Sequence, residues 1–167
     1  MATSLEHRST FTAAADVVFK TLVDEAFLTE RLREIGGKNA ALLEHARDGD
    51  RVRFRMRQGM DAARLPSAAR SALGGGDLVV EREERWRPEG DRYAGTSRVT
   101  ISGVPGELQG RIRIAGTTSG ATLVISAQVK VSIPLIGGKL ERVVADQVGK
   151  LLATEVEYAE KWLAARA

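Results

Sequence analysis

The chain has no cysteine, which excludes both a disulfide framework and a thiol nucleophile. Histidine is almost as scarce, with only His7 and His45. A histidine-based zinc site needs several ligands at set spacings and partners behind them, so no metal is expected. No apolar run approaches the ~18 residues of a membrane span, and the opening MATSLEHRST lacks the apolar segment of a secretory signal. Stable membrane insertion is therefore not expected, and a cytoplasmic location is. Charge of one sign is also lacking. The 25 basic and 22 acidic residues leave a net +3, too small and scattered an excess to suggest a nucleic-acid partner. Gly74-Gly-Gly76 and Gly137-Gly138 lack the Lys-Ser/Thr of a phosphate loop. There is no Gly-x-Ser-x-Gly elbow. No cofactor and no catalytic residue are assigned.

What is present is an ordinary apolar fraction, 43% of 167 residues, enough for one domain over residues 1–167 with a real core. The last fifth is the most informative stretch. Leu123, Ile125, Ala127, Val129, Val131 and Ile133 share one parity against Thr122, Ser126, Gln128, Lys130 and Ser132, a strand with one buried and one wet face. After Pro134 and Gly137-Gly138 the period changes to a helical one, running from Lys139 to about Ala165 without a break. Such a helix is roughly 40 Å long and needs a broad concave surface to pack on.

Ahead of it, alternation predicts a first strand over 3–11. Thr12 is expected to cap a helix over 13–23, and Asp24 a second one that stops at Gly36-Gly37. Strands follow near 40–47, 50–60, 77–87, 92–102, 107–116 and 121–133, joined by turns rich in Gly, Asp and Pro. In the second of these, Arg51, Arg53, Arg55 and Arg57 share a parity that reads as a solvated face. The order is strand, two short helices, six strands, long helix. The fold class is therefore α+β: a curved antiparallel sheet of about seven strands gripping the C-terminal helix, with a cavity between them. Leu65–Gly76 does not read as a hairpin. Its short apolar helical turn and triple-glycine hinge suggest a lid at the cavity mouth.

Two segments carry a family resemblance. Phe11-Thr-Ala-Ala-Ala-Asp-Val-Val-Phe19 is similar to the strand-to-helix entry of START-like (SRPBCC, helix-grip) proteins. Val129-Lys-Val-Ser-Ile-Pro-Leu-Ile-Gly-Gly-Lys-Leu-Glu141, with Leu65-Pro-Ser67 and Glu84-Arg-Trp86, resembles a branch of that superfamily classed as a domain of unknown function. The resemblance spans the whole chain. It implies binding of a hydrophobic small molecule such as a lipid, sterol or polyketide-like compound, and in some members chemistry on it.

Candidate ligand-binding residues follow from parity. Phe54, Met56, Val80, Val99, Ile112 and Leu151 are expected as apolar walls, with Trp86 and Tyr93 beside them. Arg82 and Glu84 share the parity of Leu78, Val80 and Trp86, so both face the cavity unless a bulge near Val79-Val80 turns them outward. Gln147 and Glu155 interrupt the apolar stripe of the last helix and need partners if buried. Glycines at 95 and 110 either let the sheet bend or leave room for a ligand. The expected function is a carrier or sensor of a hydrophobic or amphiphilic molecule whose carbonyl, hydroxyl or carboxylate lies toward Arg82. Arg82→Met is expected to weaken binding and spare the fold. The alternatives are a polyketide cyclase/aromatase-like enzyme using Arg82, Glu84, Tyr93 or Glu155, or a protein-interaction module with an unknown partner.

Overall fold

A computed structural model describes residues 2–61, 63, 65–72 and 74–166. The elements in chain order are β1 (Thr3–Phe11), α1 (Ala15–Leu22), α2 (Glu25–Ile35), β2 (Ala41–Asp48), β3 (Arg51–Met60), α3 (Ser67–Ala72), β4 (Leu78–Glu89), β5 (Arg92–Ile101), β6 (Gly106–Thr117), β7 (Gly120–Val131) and α4 (Gly137–Ala165). The seven strands form one sheet in the order β1-β7-β6-β5-β4-β3-β2. Every neighbouring pair is antiparallel. Thus β2 to β7 form a meander whose last strand takes β1 at its far side. Short connections favour this pairing of sequential strands.

Alternation decides which face is buried. In β7 the residues Leu123, Ile125, Ala127, Val129 and Val131 are all buried, and α4 covers that face. The 29-residue α4 runs roughly 43 Å, crossing β7 and β1. Its far end meets α2, where Phe27 packs against Tyr158 and Trp162 with ring centroids 5.7 and 5.3 Å apart. The opposite face of the sheet is charged and laced with ion pairs. They include Arg55–Glu81 at 2.8 Å, Arg53–Glu44 at 3.1 Å and Arg98–Glu107 at 2.6 Å. The arginine stripe of β3 is this solvated face.

The helix starts follow local chemistry in one case and not the other. Asp24 caps α2, accepting from the Phe27 N–H at 2.9 Å. The cap of α1 is Ala14, with no side-chain hydrogen bond, so the expected Thr12 cap does not form. Val18 and Phe19 are buried, and tertiary packing holds this helix in place of a cap. α2 ends where Gly37 adopts φ +83°, and a Cβ there would strike the Gly59 carbonyl. This close approach joins the α2 end to β3.

The segment expected to act as a lid is only partly free. Leu65 and Ala69 are buried against a cluster with Leu78, Leu108, Val129, Val131 and Leu140. Gly74, Gly75 and Gly76 are exposed; Leu73 lies outside the described residues.

The other end of α4 is pinned by a buried carboxylate. Glu141, 3% exposed, accepts from the Val131 N–H at 2.9 Å and from Thr3 Oγ1 at 3.1 Å. It thereby ties the first turns of the helix to the ends of β7 and β1. Glu141→Ala would leave a buried N–H without a partner, a cost of about 1–3 kcal/mol. Urea unfolding should show that loss, and an unchanged midpoint would mean the helix start is held by other contacts.

Candidate functional site

Inside the grip lies a cavity of about 930 Å³ between the concave sheet face and α4. Strand parity builds its walls. Val80, Val99, Ile101, Leu108, Ile112, Ile125, Ala127 and Val129 line it from the sheet, and Val144, Val148, Leu151 and Leu152 from α4. Its polar lining is sparse on the inside: Gln58, Arg82, Ser97 and Gln147. Charged residues such as Lys38, Asp61, Asp77 and Lys150 are also at its boundary.

At one end of this cavity sits a buried polar network. β4 pairs with β3 and β5 without a register break. Leu78, Val80, Arg82, Glu84 and Trp86 therefore all point inward and are buried, and no bulge turns the charges out. The Arg82 Nε donates to Glu84 Oε2 at 2.6 Å, and Nη1 donates to both oxygens of Glu155, at 2.9 and 2.8 Å. Glu84 takes a second bond from the Trp86 indole N–H at 2.9 Å. Glu155 also faces Arg31 Nη1 at 3.7 Å and accepts from Gln58 Nε2 at 3.5 Å. Each member is at most 8% exposed. A second cavity of about 30 Å³ lies among Arg31, Arg82, Glu84, Trp86 and Glu155, large enough for a water molecule.

The expected residues separate into three groups. Val80, Arg82, Val99, Ile112, Gln147 and Leu151 line the large cavity. Glu84, Trp86 and Glu155 stand behind it, around the small one. Phe54, Met56 and Tyr93 line neither. Phe54 and Met56 are 1% and 0% exposed in the core: Phe54 stacks with His45 at 6.2 Å and Met56 Sδ accepts from Arg31 of α2 at 3.5 Å, so the inward face there is filled. Tyr93 stacks on Phe19 at 4.2 Å. Neither glycine makes room for a ligand: a Cβ on Gly95 would come within 2.8 Å of the Trp86 indole, and one on Gly110 within 3.2 Å of Ala127 Cβ. The histidines are occupied locally, His45 with the Val23 carbonyl at 2.7 Å and His7 with Ser9 at 2.7 Å. No cluster of metal-ligating side chains occurs among the described residues.

Two members of the network were not anticipated. Gln58 continues the inward parity of Val52, Phe54 and Met56, and Arg31 sits between Leu28 and Ile35 on the apolar stripe of α2. Both signals are readable, but each polar residue ends or interrupts an apolar pattern and is easily taken for its edge.

A family model described as "Protein of unknown function (DUF2505)" matches residues 6–163. The chain belongs to this family. An uncharacterized protein of Mycobacterium tuberculosis is 33% identical over 91 residues. That match covers 53% of this chain and 52% of the relative, so the chain spans about half the length of the curated relatives it matches. Solved structures share the fold. TTHA0849 from Thermus thermophilus superposes with a TM-score of 0.67 at 18% identity, covering 99% of both chains. A START superfamily protein from Mycobacterium smegmatis gives 0.55 at 13% identity over 98% of this chain and 99% of that one. Ara h 8.0201 gives 0.58 at 15% over 99% of both. This DUF2505 protein thus has the START-like helix-grip fold.

The network's charges depend on one another. Burial works against ionisation of Glu155, yet Arg31 and Arg82 overcome it and hold its pKa below the ordinary carboxylate value. Burial likewise opposes the Arg82 charge, but Glu155 and Glu84 outweigh it and raise its pKa. Arg31 is the weaker partner: burial lowers its pKa despite Glu155. Arg82→Met would strand two buried carboxylates and cost about 3–5 kcal/mol, so the expectation that the fold is spared is not met by this geometry. Thermal or urea unfolding at neutral pH should show the loss, whereas Lys130→Met on the exposed face should change little.

Because the folded pKa of Glu155 is depressed, its stabilisation is complete above the ordinary carboxylate pKa. It is lost as pH falls through the depressed value. Glu155→Gln imitates the protonated acid. Its stability deficit relative to the wild type should be largest near pH 7 and narrow below about pH 4. A deficit independent of pH would mean that charge pairing is not its source.

Proposed function

We propose that this protein, as a single START-like domain over residues 1–167, binds a hydrophobic or amphiphilic small molecule between the sheet and α4, as a carrier or sensor. The cavity carries this reading. Its volume, about 930 Å³, falls in the range of small-molecule sites, and a mostly apolar wall with a few polar groups is their usual recipe. Lipid-, sterol- or polyketide-like bodies suit such walls. No helix among the described residues is long and apolar enough to cross a membrane.

The chemistry of the polar end favours binding over a cyclase-like reaction. A general base must accept a proton in the working state. Glu84 and Glu155 are instead engaged as acceptors by Arg82, Trp86 and Gln58. Tyr93 lies against Phe19, outside the cavity lining.

Filling the cavity tests the reading. Val99→Trp and Leu151→Trp should each displace 1-butylpyrene, followed by fluorescence titration, by tenfold or more. Thr96→Trp, on the exposed parity of β5 and outside the cavity lining, should not. Native mass spectrometry of the wild type should show an organic adduct that the filled variants lose. Equal probe affinity in all variants would rule out this cavity as the site.

A further inference from the structure

Leu135, between β7 and α4, is 105% exposed, whereas the other exposed large hydrophobic residues described, Val17, Leu43 and Val79, lie between 38% and 46%. It is also held at φ +70°, a left-handed conformation that a bulky side chain rarely adopts. Asparagine or glycine would suit this backbone better, so neither packing nor local geometry accounts for a leucine here. Around it lie Pro134 in the same loop and Pro105 in the β5–β6 turn, both exposed. The Ser132 N–H donates to the Pro105 carbonyl at 2.8 Å, which fixes the loop and the turn side by side. Val104, Ile133 and Ile136 are half-buried on the core cluster beneath, and Leu135 is the tip.

This tip stands at the cavity rim. Met60, Leu78, Ile101, Gly106 and Val131 all line the cavity; they are ends of β3, β4, β5, β6 and β7 on one edge of the sheet. The loop leaves from the last of them. Beyond it, Lys139 and Arg142 are exposed on the first two turns of α4 and have no ion pair among the described residues. The acidic groups around them are engaged elsewhere. Glu141 is buried on the Val131 N–H and Thr3, Asp146 pairs with Lys150 at 3.3 Å, and Glu107 with Arg98 at 2.6 Å.

An apolar tip and an uncompensated basic collar are the two signals that together hold a peripheral protein on a membrane. A protruding tip offers a protein little of the broad complementary area that a stable interface needs, but it requires no complementary shape to enter a bilayer surface. We propose that the β7–α4 loop, led by Leu135 and flanked by Lys139 and Arg142, docks this protein peripherally on an anionic lipid surface, with the cavity rim against the lipid.

Flotation of the full chain with phosphatidylcholine vesicles, with and without phosphatidylglycerol, tests this. It needs no cargo, so its outcome is separate from that of the cavity reading. The wild type should float with the anionic vesicles and be released by high salt. Leu135→Asn, which suits a positive φ, should weaken vesicle binding about tenfold or more, the scale of one buried leucine. Its melting midpoint should be no lower than that of the wild type. Lys139→Gln combined with Arg142→Gln should remove the preference for phosphatidylglycerol, while Lys161→Gln near the other end of α4 should leave it intact. A wild type that stays unbound with both vesicles, or a Leu135→Asn variant that floats like the wild type, would overturn the proposal. So would a concentration-dependent dimer in ultracentrifugation that Leu135→Asn abolishes, which would assign the tip to a second copy of this chain.

Discussion

Glu155 is the point at which the helical layer and the sheet are joined electrostatically. It projects from α4 and meets Arg82 on β4, Arg31 on α2 and Gln58 on β3. A carboxylate in an apolar interior is costly unless paired and hydrogen-bonded. The surrounding strands and helices must therefore stay in register for the charges to remain met. Replacing such a network with apolar side chains is often neutral or stabilising in other proteins. Net stability is therefore not its clearest consequence; its effect on the interior is.

What it does is divide that interior. On the Trp86 side, aromatic and aliphatic groups from α1, β3, β4 and β5 fill the space: Trp86 meets Phe19 edge-on, and Phe19 stacks on Tyr93. On the other side α4 stands over the sheet with mostly small aliphatic residues, Val144, Val148 and Leu151, facing Val80, Val99 and Ile112. These side chains are too short to close the gap, and the cavity results. The network forms its polar end wall, and its groups are carried on helices and strands in place of loops, where side-chain positions are held more exactly.

Much of the fold was legible because its signals are local and repeated. Long alternations such as 121–131 admit only a half-buried strand, and the change of period after Gly137-Gly138 admits only a helix. The unbroken parity of Leu78, Val80, Arg82, Glu84 and Trp86 likewise brought two charges inside, with the single uncertainty of a bulge that pairing with both neighbours removes. The missing Thr12 cap and the misplaced walls have another origin. Parity tells which face a residue is on, but not what lies opposite it. Phe54 and Met56 share the inward face with Gln58, yet the first two are packed into the core while the third reaches the cavity.

Sequence by itself thus determined the element order, the buried parity of each strand, the α+β grip and the presence of ionisable groups on an apolar face. These depend on spacings within a few residues, which the chain carries wherever it goes. The tertiary structure decided the rest: that Glu155 closes onto Arg82 and Arg31, that Gly95 makes room for an indole and not for a ligand, and that Gln58 turns its amide N–H toward Glu155. Each depends on groups 9 to 124 residues apart in the chain meeting at distances of a few ångströms, and hydrogen bonds and ion pairs change decisively over that range.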